Sequence, residues 1–226
     1  MMKFMAIILV VMLCFSVATM AQAKALSNNE KAAAGLKEAL QVGSANAVAK
    51  TGKTDGYFGN PIIKILMPEK LKRAEKVMRK VGLGKTVDEF ILSMNRAAEK
   101  ASPSAKQIFW DAIKAITFKD ALGILRGGDT AATVYFKEKT SPQLTTAFLP
   151  VVKQATAEVG VTQKYKTLAA KAKKIPLVKM EPVDLDQYIV AKALDGLFYM
   201  LGEEEKKIRK DPVARVTQLL KEVFGN

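Results

Sequence analysis

Carboxylates, lysines and hydroxyls are the side chains left to this sequence for chemistry. It holds no histidine and a single cysteine, Cys14. Thiol nucleophiles, histidine bases and Cys/His zinc sites are therefore absent from the body of the chain. Glu99, Glu138 and Asp195 are nominally available for a carboxylate-dependent, glycan-cleaving reaction. A lone acid in that role needs an apolar cleft to raise its pKa, and none of the three lies in a catalytic string. Gly52-Lys53-Thr54 echoes the end of a phosphate-binding loop. The upstream glycine would fall at Ala47, and a helix rather than a strand precedes the loop, so the match fails. No cofactor and no metal site are expected.

Four polar residues stand out as a ligand contact or a structural cluster: Asn95, Arg96, Asp129 and Asp195. Asn95 and Arg96 fall in mid-helix, and Asp195 lies beside an apolar helical stripe. Buried charges should be paired, which makes an Arg96–Asp195 contact plausible. Asp129 follows Gly127-Gly128, where a tight turn starts a new helix. Its backbone donors could receive an anion, but Asp129 is itself placed to fill that position as the cap.

The chain of 226 residues carries 36 Lys and Arg against 22 Asp and Glu. The surplus is concentrated. Residues 64–85 hold eight basic and two acidic residues, and residues 164–179 hold six basic and none acidic. In the first segment Lys72, Arg73, Lys76, Arg79 and Lys80 share one helical arc, opposite Ala74, Val77, Met78 and Val81. Lys171, Lys173 and Lys174 lead the second. These eight are candidate contacts for an anionic lipid surface or an acidic partner, or else a solvated face that keeps the protein soluble. Charge alone would admit nucleic acid, but no base-stacking motif accompanies the lysines, and export counts against it.

The elements that position these residues are helices. Ser27-x-x-Glu30 and Thr86-x-x-Glu89 are capping boxes, and Thr117 with Asp120 starts a short helix. Pro68, Ser102-Pro103 and Ser141-Pro142 place proline in a first turn. Asp129 caps a helix after the glycine pair, and Gly160 ends one before a Thr162 cap. Asp184-x-x-Gln187 opens a long helix, and Asp211-Pro212 opens the last. The fold class is all-α, a compact bundle of about ten short-to-medium helices. Residues 62–66 and 177–180 look extended, and either pair as one small two-stranded β-ribbon or stay as loops. From Leu185 to Leu201 apolar residues recur at three and four, interrupted by Lys192 and by Gly196, which would let another element approach closely. Glu203, Glu204 and Glu205, followed by Lys206, Lys207 and Arg209, read as a solvated, salt-bridged helix end with Glu203–Lys207 and Glu205–Arg209 pairs. The many aromatic and Met residues fit a packed core or the lining of an apolar cavity, with Met94 and Met200 the candidates for lining.

The start of the chain is a different kind of segment. Met1-Met2-Lys3 leads into an apolar run, Phe4 to Val17, and then Ala21 and Ala23. This is the pattern of a cleaved secretory signal peptide, residues 1–23, leaving 24–226 as a single helical domain. The run is too short to span a bilayer, so no transmembrane segment is expected after cleavage. Cys14 sits inside the run behind Leu13, which argues for a discarded residue rather than a lipidation site. With it gone the mature chain has no disulfide, and packing must hold it together. The periplasm is the expected compartment, ahead of the extracellular space.

Several strings together carry a family resemblance: Gly35-Leu-Lys-Glu-Ala-Leu40, Gly56-Tyr-Phe-Gly-Asn-Pro61, Met94-Asn-Arg-Ala-Ala-Glu99, the run from Gly123 to Thr133, Tyr135-Phe136, Lys192-Ala-Leu-Asp-Gly-Leu-Phe198, and Glu203-Glu204 through Asp211-Pro212. They resemble the bacterial domain of unknown function 4197 over nearly the whole mature chain. The resemblance implies an exported, mostly helical protein of Gram-negative-type bacteria and no assigned activity. The leading expectation is a non-enzymatic periplasmic protein that binds a hydrophobic or amphiphilic ligand or a cell-envelope partner. The alternatives are the carboxylate-dependent cell-wall enzyme and a purely structural assembly factor. A carrier should show an enclosed apolar cavity, and a scaffold a full core with an exposed apolar patch. N-terminal sequencing of the protein from a periplasmic extract should begin at Lys24. A chain that keeps Met1 there would overturn the leader assignment.

Overall fold

The computed structural model describes residues 30–176, 178, 180–211 and 217–224. The leader, Ser27 and Pro212 lie outside them. Helix α1 spans residues 30–52, and a 3-10 turn, Glu69–Leu71, leads into α2 (Lys72–Lys80). Then come α3 (Gly84–Ala101), a second 3-10 turn (Ser102–Ser104), α4 (Ala105–Ala115) and α5 (Phe118–Leu125). The chain continues through α6 (Ala131–Glu158), α7 (Val161–Ala172), α8 (Leu185–Lys210) and α9 (Gln218–Phe224). The all-α expectation holds. Helix α6 packs most extensively on α8 and also on α3 and α4, while α3 carries α7, α8 and α2 around it. One apolar core runs from Leu36 to Leu201. Phe109 sits at its centre, edge-on to Phe136 and Phe198 at ring distances of 6.0 Å each.

Two helices expected on either side of Ser141-Pro142 are one. Pro142 and Pro150 both lie inside α6. An interior proline removes one helical bond and costs about 3 kcal/mol. Both prolines are exposed, as are Glu138 and Thr146, whose carbonyls lose their partners, so water reaches those groups. The opposite face keeps an unbroken stripe of Phe136, Thr140, Leu144, Phe148 and Val152, all buried. Burial of those side chains, at roughly 1.5–3 kcal/mol each for the large apolar ones, outweighs the two lost bonds.

Helix starts divide by their surroundings. The Thr117–Asp120 capping box forms, and Asp184 Oδ1 accepts from the Gln187 N–H at 3.0 Å. The Thr86–Glu89 box does not form. The chain turns at Gly82, with φ +84°, and α3 begins at Gly84, so Thr86 is already within the first turn. Thr162 is likewise one residue inside α7, behind Gly160 at φ +71°. Ser102 caps nothing. It is buried, and its hydroxyl donates to Ala98 O at 3.0 Å.

No strand forms among the described residues, so the ribbon is not present there. The segment 62–66, expected to be extended, begins in a turn at Ile62 and Ile63, where the Lys64 N–H donates to Asn60 O at 2.9 Å, and beyond that turn it finds its partners in side chains. Asn95 on α3 accepts from the Ile65 N–H at 2.8 Å and donates to Ile65 O at 2.8 Å. Its second amide hydrogen goes to Ile91 O at 2.8 Å. Asn95 therefore does for Ile65 what a neighbouring strand would do, and every hydrogen-bonding group of this buried residue is used. Tyr188 on α8 donates to Leu66 O at 2.9 Å. Beside it, Gly196 gives the close approach expected of it. A Cβ there would lie 2.6 Å from Tyr57 Cε1, and the buried Tyr57 hydroxyl donates to Ala193 O at 2.6 Å.

Asn95→Ala should strand both polar groups of Ile65 in the core. The expected loss is about 3 kcal/mol, which for a domain of this size lowers the melting temperature by roughly 6–12 °C. A melting curve superimposable on wild type would remove Asn95 from this role.

Candidate functional site

The acids named from sequence are mostly committed to structure. Glu99 is buried on α3 beneath the loop that follows α1. Its Oε1 accepts the consecutive N–H groups of Tyr57 and Phe58, both at 3.1 Å. Its Oε2 takes Arg96 Nη1 at 2.6 Å, and Arg96 Nη2 reaches Asp55 at 2.7 Å. Asp55 holds a left-handed conformation, φ +63°, which turns the loop over the carboxylate. Arg96 thus pairs with Glu99 and Asp55, and the expected Arg96–Asp195 contact is not made. The reason is sequence-local: Glu99 lies one turn along the same helix, on the same face.

Glu205 repeats the device. Its carboxylate accepts the N–H groups of Ala132 at 2.9 Å and Thr133 at 2.8 Å, and the Thr133 hydroxyl at 2.8 Å. Arg209, one turn further along α8, binds it at 2.9 Å and donates also to Ile124 O at 2.9 Å. The first turn of α6 is thus capped by a carboxylate from another helix, as the helix dipole favours. Asp129, expected to cap there, pairs with Lys210 instead, and Thr130 occupies the cap position without a side-chain bond. Glu204 is also buried, held by Lys50, by Asn46 at 3.1 Å and by Lys207 at 3.3 Å. The glutamate run is therefore not a solvated helix end. The Glu205–Arg209 pair forms as expected, while Glu203 pairs with Lys206 and Lys207 with Glu204. No group of three or more acidic residues among the described residues comes together as a metal site.

Asp195 is exposed and sits between Lys192 at 3.5 Å and Lys137 at 3.8 Å. It marks the junction of two shallow grooves of about 350 and 300 Å³ along the outer face of α8. Asp195 and Tyr199 line both, so the two grooves adjoin at these residues and together make up a trough along α8. Ile62, Ile63, Leu66 and Met67 wall one end, and Thr130, Val134 and Gly202 wall the other. Large apolar side chains are exposed at six of the described positions, and four of those are in this trough: Ile62 at 65 %, Leu66 at 53 %, Val134 at 53 % and Tyr199 at 38 %. Lys64, Lys72, Lys137, Lys192 and Lys206 rim it, with Glu69, Asp195 and Glu203. The Glu203 carboxylate at 2.8 Å holds the Lys206 ammonium above its usual pKa.

Enclosed space is scarce by comparison. An apolar crevice between α1 and α8, lined by Leu40, Leu201 and Phe224 among others, holds about 10 Å³, room for one water. Met94 is buried in the core and Met200 is half-buried against Asn60, and neither lines the trough. Of Glu99, Glu138 and Asp195, only Asp195 lies in it. Asn95, Arg96, Asp129 and Asp195 do not form one cluster, since each has its own partners. The trough's apolar residues were not singled out from sequence. Their signal was Ile62 and Leu66 flanking the extended segment, and Val134 and Tyr199 on outward helix faces.

The eight basic residues are all exposed. Lys72 pairs with Glu69 at 2.5 Å, and Arg79 pairs with Glu75 at 2.9 Å and Asp88 at 2.8 Å. Lys171 donates to Thr86 at 2.8 Å. The two basic segments therefore do meet, at the first turns of α3.

Burial alone would raise the Glu204 pKa, but bonds from Lys50 and Asn46 and the charges of Lys50 and Lys207 outweigh it and hold the carboxyl below its usual value. A carboxyl depressed by folding stabilises the fold above its unfolded pKa, about 4.3, and loses that contribution as pH falls through its folded value. Glu204→Gln should thus be less stable than wild type at pH 7, with the gap closing towards pH 3. A gap constant with pH, measured by urea unfolding, would contradict this. In the same assay Glu205→Ala should lose about 3–5 kcal/mol, because the N–H groups of Ala132 and Thr133 and the Thr133 hydroxyl are left buried without their acceptor.

No curated protein and no solved structure matches the chain. No helix among the described residues is long and apolar enough to cross a membrane. One family does match, over residues 26–225, and that span includes both captured glutamates and the whole trough. The chain belongs to the family described as Protein of unknown function (DUF4197).

Proposed function

We propose that this is an exported, non-catalytic protein of the bacterial cell envelope that holds an amphipathic segment of a partner protein in the trough along α8. One observation carries the reading: Ile62, Leu66, Val134 and Tyr199, exposed apolar side chains from three separate elements, converge on one surface. Grouped exposure of this kind marks interaction sites, whereas scattered exposure does not. A carrier of a small apolar molecule would need a site that buries 70–90 % of its cargo. The trough is open along its length, and the crevice beside α1 admits no more than a water. The rim suits a peptide better than an acyl chain. Its lysines alternate with Glu69, Asp195 and Glu203, so charges of both signs on a partner find counterparts.

The experiment is site-specific photo-crosslinking in Gram-negative cells, with a photoreactive residue at Val134, at Tyr199, or at exposed Lys106 outside the trough. Val134 and Tyr199 should yield the same discrete protein adduct, and Lys106 none. Adducts with phospholipid alone, or the same adduct from all three positions, would sink the proposal.

A further inference from the structure

We propose that the end of the molecule where α2, α3 and α7 converge docks on an anionic lipid surface. Three contacts place the elements together. Arg79 at the end of α2 bonds Asp88, one turn into α3. Lys171 at the end of α7 reaches Thr86 in the first turn of α3, and Lys164 pairs with Glu89. The carboxylates facing this end, Glu75, Asp88 and Glu89, are thereby taken up by Arg79 and Lys164. Arg73, Lys76, Lys80, Lys85, Lys173 and Lys174 are all exposed and have no carboxylate partner among the described residues. Helix α3 starts here with no acidic residue in its first turn, so its positive end adds to the charge.

Val81 adds one exposed apolar side chain to this charged end. That residue closes α2 and is 53 % exposed, between Lys80 and the Gly82 turn. An exposed apolar side chain next to Lys80, at the end of a basic helix, can enter the acyl boundary beneath a headgroup layer, and has no counterpart on a phosphate backbone in water. The residues involved are separate from Ile62, Leu66, Val134 and Tyr199, so this inference does not depend on the trough.

The test is co-sedimentation of the mature protein with vesicles of phosphatidylcholine containing 30 % phosphatidylglycerol, against pure phosphatidylcholine. Binding should appear on the anionic vesicles alone and fall steeply with salt. Each lysine or arginine near such a surface contributes about fivefold to partitioning, so Arg73→Gln, Lys76→Gln and Lys80→Gln together should weaken it about a hundredfold. Lys173→Gln with Lys174→Gln is an independent variant on another helix and should weaken it about twenty-five-fold. Tyr199→Ala should leave it unchanged, which separates this surface from the trough. Equal binding to neutral vesicles, wild-type binding by the triple variant, full displacement by millimolar inorganic phosphate, or tighter binding to a DNA duplex at the same salt would each overturn the proposal.

Discussion

Two buried carboxylates, each clasped by a pair of successive backbone N–H groups, fix the parts of this fold that regular packing would leave loose. Glu99 closes the loop after α1 over α3, and Glu205 ties the first turn of α6 to α8. Each also binds an arginine one turn away on its own helix. A buried carboxylate is costly unless its lone pairs are filled, and here they are. The arrangement also settles geometry. Two consecutive amides must point at one carboxylate, at Oε1 alone in Glu99 and at both oxygens in Glu205, which leaves little freedom in how the loop or the helix start can lie. In a chain whose single cysteine, Cys14, has no second to pair with, no internal disulfide can form and contacts of this kind must hold the parts together.

The same contacts explain the trough. Capture by Glu99 holds Tyr57 against the Gly196 gap in α8, and Asn95 and Tyr188 hold segment 62–66 along the same helix. Ile63, Ile65 and Met67 are then buried, while Ile62 and Leu66 are left facing outward. The exposed apolar surface is thus a consequence of how the polar groups beneath it are satisfied. At the other end, Glu205 sets where α6 begins, and hence where Val134 stands relative to Tyr199.

What was legible in the sequence follows from how local each signal is. Thr117 with Asp120, and Asp184 with Gln187, form at exposed helix starts where no tertiary partner competes. Asp129 loses its place to Glu205, a residue 76 positions away that no local pattern could nominate. Ser141-Pro142 reads as a helix start by composition, but the apolar stripe from Phe136 to Val152 decides the matter. Residues 62–66 read as extended, but Ile62 and Ile63 belong to a turn. The hydrogen-bonding partner of Ile65 is not legible, because a single asparagine amide stands in for a strand. The candidate site is the least legible part. Pattern reading favours charged residues, and of Asn95, Arg96, Asp129 and Asp195 only Asp195 lies in the trough.

The distribution of charge and apolar surface argues for function at surfaces rather than in a pocket. Where carboxylates are buried, at Glu99, Glu204 and Glu205, their oxygens are filled by backbone, lysine and arginine donors. Of the six large apolar side chains exposed among the described residues, four are grouped in the trough, while Val81 and Phe118 stand alone. Lys72 belongs to both regions, on the rim of the trough and on the basic face of α2. A protein bound to a membrane through α2 would therefore present the trough beside that membrane. A partner segment reaching it would lie within the same anionic field that attracts the lysines, over a distance of about one Debye length. In that arrangement the basic end raises the local concentration of the protein at the membrane, and the trough selects what it meets there.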